Sequence, residues 1–545
     1  VLDLVLGDAR VHDGAGSAPF DACVGVQGGR IVSVGADPGP ARRRLELDGL
    51  ALCPGFVDPH SHADLVLLQE PTVARRLMEG RIRQGITTAI VGNCGMGVAP
   101  RGGREPVLRS LAAWMTPGDV PWPWEDLAGY LDRLEARALP LNVGALQAHG
   151  PLRLEAHGTG PGVPDRAALA HMERRLRDGM EAGALGLSAG LIYPPGMHAA
   201  TDELAALAAA VAPFGGVFAC HLRGSSELLL PSVEELIEIG RRSGCRLVHS
   251  HAEAVGRRHW GQLPRALERE EAARREGIEV GHDLFPYHAA ATLMAALFPP
   301  EALAEGIPGL LRRLREPASR TALRRAIETH VPRWPPWTEG GWPHNLVRAV
   351  GWDQIRVASV PPGAAEDAVG HDLASLARAR GSAPFEVLAD LMLEHEGGVG
   401  QLLFGITGSA EDEEPMRHLV QDPHGAICTD AEDLGRGLPH PAAFGAFPRI
   451  LGHWVRDRRA LPLPEAIRRM TSLPAERYRL RGRGRVAPGF AADLVAFDPR
   501  TVRDHAAYLD PRQPPGGIPH VLVNGRPAVE AGEYVGGAGG QVLRR

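Results

Sequence analysis

Short apolar runs bounded by turn residues dominate both ends of the chain. Val1-Leu2-Asp3-Leu4-Val5-Leu6 alternates in part, and Val24-Gly25-Val26 and Arg30-Ile31-Val32-Ser33-Val34 flank Gly28-Gly29 in the manner of a hairpin. At the far end, Ala492-Asp493-Leu494-Val495-Ala496-Phe497 and His520-Val521-Leu522-Val523-Asn524-Gly525 have the same texture, separated by Pro- and Gly-rich connections. Two strand-rich ends around a different middle predict one small β domain assembled from both termini, residues 1–53 and 481–545. Two independent caps are the alternative.

The middle alternates strand and helix. From Asp165 to Ala182 the apolar Leu169, Met172, Leu176 and Met180 recur near helical spacing; the pattern stops at Gly183 and leads into Ala184-Leu185-Gly186-Leu187-Ser188. Ser232-Val233-Glu234-Glu235 has the form of a capping box and predicts a helix starting there and ending near Gly244. Arg246-Leu247-Val248-His249-Ser250-His251 follows, then a charged helix to Gly277, then Ile278-Glu279-Val280. Repeated βα units with polar groups at the carboxyl ends of strands predict an α/β fold, a distorted TIM-type (β/α)8 barrel over residues 54–480. A Rossmann arrangement competes, but no GxGxxG opens a helix after a strand. From 301 to 352 the rhythm breaks, with Trp334, Trp337, Trp342 and Trp352 among prolines and arginines. That stretch predicts an insertion near the barrel mouth, either a lid or a plain surface excursion.

Composition removes whole classes of function. The 59 basic and 65 acidic residues leave a net charge of −6, without the basic footprint of a nucleic-acid binder. No apolar run reaches membrane-spanning length, so no membrane partner is expected. Six cysteines in 545 residues are too few for a disulfide framework and favour a reducing, cytoplasmic setting. All 59 basic residues are arginine. The absence of lysine excludes a Schiff base, a P-loop lysine and a carbamylated lysine bridging two metals.

The sharpest chemical feature is Gly55-Phe56-Val57-Asp58-Pro59-His60-Ser61-His62. Residues two apart on an extended segment face the same side, so both imidazoles can reach one metal. Four further apolar runs deliver a ligand at their carboxyl ends. Ile86 to Val91 leads to Cys94, Val217 to Cys220 ends at His221, Leu247-Val248 leads to His251, and Ala426 to Thr429 ends at Asp430. A single histidine of this kind is as well explained by packing; five endings together point to a metal centre. His249, two residues before His251, is a rival ligand.

On these residues the chain resembles the N-acyl-D-amino-acid deacylase (D-aminoacylase) family of metal-dependent amidohydrolases. The likeness extends through Gly92-Asn93-Cys94-Gly95, Gly186-Leu187-Ser188-Ala189-Gly190-Leu191-Ile192-Tyr193, Pro286-Tyr287, His440-Pro441, Phe444-Gly445-Ala446-Phe447-Pro448-Arg449 and the closing Gly517-Ile518 and Val521 to Gly525. It implies a distorted barrel with a small β domain from both termini and a zinc-dependent hydrolase that removes an N-acyl group from a small N-acylated amine or amino acid. It further implies tight zinc on Cys94, His221 and His251, a weaker second position lined by His60, His62 and Asp430, and Asp430 as the catalytic acid–base. The family's use of a cysteine in place of the bridging lysine agrees with a lysine-free chain, and thiolate suits zinc. Tyr193, Arg223, Tyr287 and Thr292 are candidates for holding substrate. A cyclic-amide hydrolase of the hydantoinase type would be expected to carry the missing lysine. A non-catalytic homologue would not be expected to keep the whole ligand set.

The chain also departs from the resemblance. The family's carboxylate-binding arginine usually follows the His-Pro pair, whereas Ala442 follows Pro441 here. Gly224-Ser225-Ser226 follows Arg223 in place of the usual Asn or Asp and Glu, and Ala431 follows Asp430 in place of Gly. The metal chemistry is expected to be intact and the carboxylate clamp altered, with Arg436 or Arg223 as substitutes.

Overall fold

The computed structural model describes residues 1–335, 340–364 and 366–545. Eight short parallel strands form the barrel: β1 (Phe56–Asp58), β2 (Ile86–Val91), β3 (Asn142–Ala145, continued by Gln147–Ala148), β4 (Gly186–Gly190), β5 (Val217–His221), β6 (Arg246–His249), β7 (Val280–Leu284) and β8 (Gly425–Ile427). They pair as two arcs, β1-β2-β3 and β3-β4-β5-β6-β7-β8. The arcs meet where the Asp430 N–H donates to the His60 carbonyl at 3.0 Å, beyond the last paired residues. The barrel is therefore distorted at the junction that carries the HxH segment. Strands β2, β4, β5 and β7 are buried at every position, the pattern expected when both faces of a parallel sheet are covered.

The helices cover the outside. Arg166–Glu181 begins where expected, with the Asp165 carboxylate accepting from the Ala168 N–H at 2.8 Å, and it buries Met172, Leu176 and Met180. The helix foreseen at Ser232 begins a turn earlier, at Leu229, and ends at Ser243 before a left-handed Gly244. Pro231 falls in the first turn, where its missing N–H costs nothing. Ser232 Oγ donates back to the Leu228 carbonyl, and Glu235 pairs with Arg223 instead of capping.

Strands from both ends of the chain share one 9-stranded sheet. Leu494–Phe497 pairs antiparallel with Ala51–Pro54, which joins the terminal halves. Gly28-Gly29 connects Phe20–Gln27 to Arg30–Gly35 as expected. A third sheet was not foreseen. Ala289–Leu293, Gly400–Phe404 and Ile355–Ser359 form an antiparallel trio between β7 and β8. Within 301–352 lie the helices Gly306–Arg315, Pro317–Thr329 and Leu346–Val350; Trp342 is buried and stacks on His330, and Trp337 lies outside the described residues.

Candidate metal centre and its chamber

The loops that leave the barrel strands bring six side chains together. His60 and His62 follow β1, Cys94 follows β2, His221 is the last residue of β5, His251 follows β6 and Asp430 follows β8. Cys94 Sγ lies 3.2 Å from His60 Nε2, 3.5 Å from His251 Nε2 and 3.8 Å from His221 Nδ1. Asp430 Oδ1 is 3.4 Å from both His60 Nε2 and His62 Nε2. Two groups of three, Cys94-His221-His251 and His60-His251-Asp430, have donor atoms within 4.8 Å of one another, as does His60-His62-Cys94.

Local backbone explains the convergence. Cys94, His251 and Asp430 all have positive φ, of 53°, 36° and 45°. Left-handed backbone at a non-glycine residue is costly and concentrates at functional sites. The loop around Cys94 is held on both sides. Asn93 Nδ2 donates to the Pro59 and Ile90 carbonyls, tying this loop to the HxH segment. Ser188 Oγ donates to the Gly92 carbonyl and accepts from the Gly95 N–H. A Cβ at Gly190 would fall 2.0 Å from the Cys94 carbonyl oxygen, so the β4 motif needs glycine for this close approach.

Buried carboxylates support the imidazoles from behind. Asp283 on β7 places Oδ1 3.3 Å from His60 Nδ1 and accepts from the His251 N–H at 2.5 Å. Arg81, buried, joins Asp58 to Glu432, and Glu432 accepts from the His62 N–H at 2.8 Å. Asp58 also accepts from the Thr429 N–H at 3.0 Å. The segments carrying His60, His62 and Asp430 are thus sewn together by one buried ionic network.

The donor set fits zinc. Ligands bound at about 2.3 Å (sulfur) and about 2.0 Å (nitrogen) around a tetrahedral ion stand about 3.5 Å apart, the spacing seen around Cys94. Electrostatics point the same way. Burial pushes the Cys94 thiol up, yet His60, His251 and His221 more than offset it and hold the thiol well below its ordinary range. Burial depresses His62 and His251, but Asp430 and Cys94 raise them to about 10 and about 9. The paired anions demand positive charge, and a divalent cation meets that demand with neutral imidazole ligands.

The centre opens into a two-lobed chamber. One lobe holds Cys94, His221 and His251 among Ile192, Tyr193, Glu253, His344, Leu346 and Leu403. The other is walled by Met115, Ala358, Ser359, Gln401, Arg436 and Leu438. His62, Trp114, Ala291, Thr292 and Asp430 line both. His344 and Leu346 bring the end of the 301–352 stretch into this wall.

Of the substrate candidates, Tyr193 and Thr292 face the chamber, with their hydroxyl oxygens 2.8 Å apart. Arg223 does not line it. The Arg223 guanidinium is buried, paired with Glu235 at 2.7 Å and donating to the Met197 and Ala199 carbonyls. Tyr287 also stands aside, its hydroxyl 3.3 Å from Asp504 and its ring against His440. His249 is turned to Glu270 at 2.7 Å, which also contacts His282 at 3.2 Å, and takes no part in the ligand cluster. Ala442 is fully buried in the first turn of the helix Ala442–Arg449. Arg436 lines the second lobe, with Nε on the Val360 carbonyl and Nη1 on the Thr116 carbonyl.

Sequence reasoning missed Asp283, Trp114, Gln401, His344 and Glu253. Glu253 carried a signal, since it follows His251 at the same two-residue spacing as His60 and His62, and so did Asp283, next to the carboxyl end of β7. Trp114, Gln401 and His344 lie on elements that the chemistry at strand ends does not announce.

Residues 45–529 match the model of the Amidohydrolase family. The chain is 33% identical to an N-acyl-D-glutamate deacylase of Alcaligenes xylosoxydans xylosoxydans, covering 96% of this chain and 93% of that one. It is 30% identical to a D-aminoacylase of the same organism over 100% of this chain and 98% of that one. The fold superposes on the crystal structure of N-acyl-D-glutamate deacylase from Bordetella bronchiseptica, complexed with zinc and a phosphonate inhibitor, with a TM-score of 0.82 at 30% identity and full coverage of both chains.

Proposed function

The chain belongs to the N-acyl-D-amino-acid deacylase family of metal-dependent amidohydrolases, and from that premise we propose how its residues divide the work of removing an acyl group from a small N-acylated amino acid. Cys94, His221 and His251 hold zinc tightly; His60, His62 and Asp430 line a weaker second position. The observation that carries this reading is the convergence of one thiolate, four imidazoles and one carboxylate from five separate strand ends.

An amide is a poor electrophile and neutral water a poor nucleophile. Zinc, when bound, supplies the Lewis acidity that polarises the amide carbonyl and makes water nucleophilic near neutral pH. Asp430 accepts the proton of the attacking water. As the carbon–nitrogen bond breaks, the same carboxylate returns that proton to the departing nitrogen, so the products are a carboxylic acid and an amine. His60 and His62, at 3.4 Å, orient Asp430. Tyr193 and Thr292 present hydroxyls to the substrate where the two lobes meet. Apolar Ile192, Leu346 and Leu403 keep bulk water from the reacting atoms.

Arg436 is the substitute for the arginine that the family carries at the position of Ala442. With Nε and Nη1 held by carbonyls, its remaining N–H groups are available to a substrate carboxylate in the second lobe. Asp430→Asn tests the catalytic assignment: turnover of an N-acetyl-D-amino acid should collapse at unchanged zinc content. Wild-type turnover at matched metal would place the base elsewhere.

A further inference from the structure

Glu253 is a buried carboxylate in the chamber wall that the reaction above does not use. It is 7% exposed and stands among the zinc-side residues, with the Ser225 hydroxyl beside it. Among the described residues it forms no ion pair, unlike Asp58, Glu203, Glu235, Glu270 and Glu432, which all meet an arginine or histidine. Among the described residues no arginine lines that lobe; its carboxylates are Glu253 and Asp430, and its imidazoles are His62, His221, His251 and His344. Among the described residues Arg436 is the only arginine of the chamber; it lies in the other lobe and likewise forms no ion pair there. Buried charges are ordinarily paired, and a partner delivered by a ligand serves as well as one from the protein.

We propose that Glu253 is a specificity residue for a cationic group on the substrate, so that the preferred substrate is an N-acylated amino acid with a basic side chain. This rests on the deacylase reading above. The Arg436 guanidinium thus stands in one lobe of the chamber and the Glu253 carboxyl in the other. A free carboxylate reaches the first, and a side-chain ammonium reaches the second through a charge-assisted hydrogen bond. An acidic side chain would be driven from the zinc-side lobe by Glu253. In this the chain differs in expectation from the relative named for N-acyl-D-glutamate.

The test compares kcat/KM of the zinc-loaded enzyme for N-acetyl-D-lysine, N-acetyl-D-norleucine and N-acetyl-D-glutamate, alongside calorimetric binding of D-lysine and D-norleucine. The lysine compound should exceed the norleucine compound by about 10-fold or more, the scale of one hydrogen bond to a charged group. The glutamate compound should be the poorest of the three. In Glu253→Gln the lysine-to-norleucine ratio should fall to about one in both turnover and binding. Equal handling of lysine and norleucine by the wild type, or a ratio that survives Glu253→Gln, overturns the proposal and leaves the deacylase reading standing. If none of the three amides is cleaved, the deacylase reading fails, and calorimetry still decides the subsite: a D-lysine preference lost in Glu253→Gln supports it, and its absence refutes it.

Discussion

The two walls of the chamber are built by opposite rules. The barrel wall is a ring of strand ends, five of which lead to His, Cys or Asp ligands, with its loops locked by Arg81, Asp58, Asp283 and Glu432. The facing wall comes from the three-stranded sheet and the loop after Asp430, and consists mainly of small or apolar residues: Ala291, Ala358, Gly400, Leu434 and Leu438, with Gln401 and Arg436 set among them. The first wall is over-determined, because metal ligands tolerate little displacement and each is held by a second layer of hydrogen bonds. The second wall offers shape and a few isolated polar groups. Reaction type is therefore fixed on the barrel side, while the choice of substrate rests on the facing wall together with isolated barrel-side groups such as Glu253.

Substitutions can break this division, and the largest effect belongs to the barrel wall. Cys94→Ala should lose the tightly held zinc and with it essentially all turnover, whereas His60→Ala should keep much of the tight metal; metal analysis of both purified variants checks this, and full zinc in the Cys94 variant would refute the ligand assignment. Asp430→Asn should retain metal yet lower kcat by about 10²–10⁴-fold, the usual contribution of a general acid–base. Steady-state kinetics at matched zinc content read that loss.

Removing the support should act on stability as well as rate. Arg81→Met leaves Asp58 and Glu432 buried without their cation, a loss of about 3–5 kcal/mol that denaturant unfolding would register. An unchanged unfolding midpoint would mean that the network does not lock the two segments.

The facing wall should respond differently. Arg436→Leu should lower kcat/KM for a free N-acetyl-D-amino acid by roughly 10–100-fold, the worth of about 1.5–3 kcal/mol of charged hydrogen bonding. The corresponding methyl ester should be little affected. Equal losses on acid and ester would give Arg436 a structural role. Smallest of all, Asp165→Ala should cost about 1 kcal/mol of stability through its lost helix cap, with zinc content and kcat unchanged. A catalytic defect there would dissolve the separation between scaffold and chamber.

The same contrast decides what could be read from the sequence. Both terminal strand sets, the helix Arg166–Glu181 and the strands leading to Cys94, His221, His251 and Asp430 follow from hydrophobic period and turn residues. The barrel ligands stand out because a polar side chain at the end of a buried strand demands a reason. The three-stranded sheet did not stand out: Ala289-Ala290-Ala291-Thr292-Leu293 has little β-branching, and its strands are joined by connections of 61 and 40 residues. Its pairing is a tertiary decision. Arg223, a candidate for holding substrate, is a partner of Glu235, because position near His221 in the chain does not fix where a long side chain turns. The helix start at Leu229 was missed for a local reason, since a proline in the first turn is as good a beginning as a cap.

The most direct measurement is zinc K-edge X-ray absorption on the zinc-loaded protein, wild type and Cys94→Ala. The account predicts one sulfur scatterer at about 2.3 Å with nitrogen or oxygen scatterers at about 2.0–2.1 Å in the wild type, and loss of the sulfur shell in the variant. A wild-type spectrum fitted by nitrogen and oxygen alone would contradict it, because the cysteine at the end of β2 would then hold no metal.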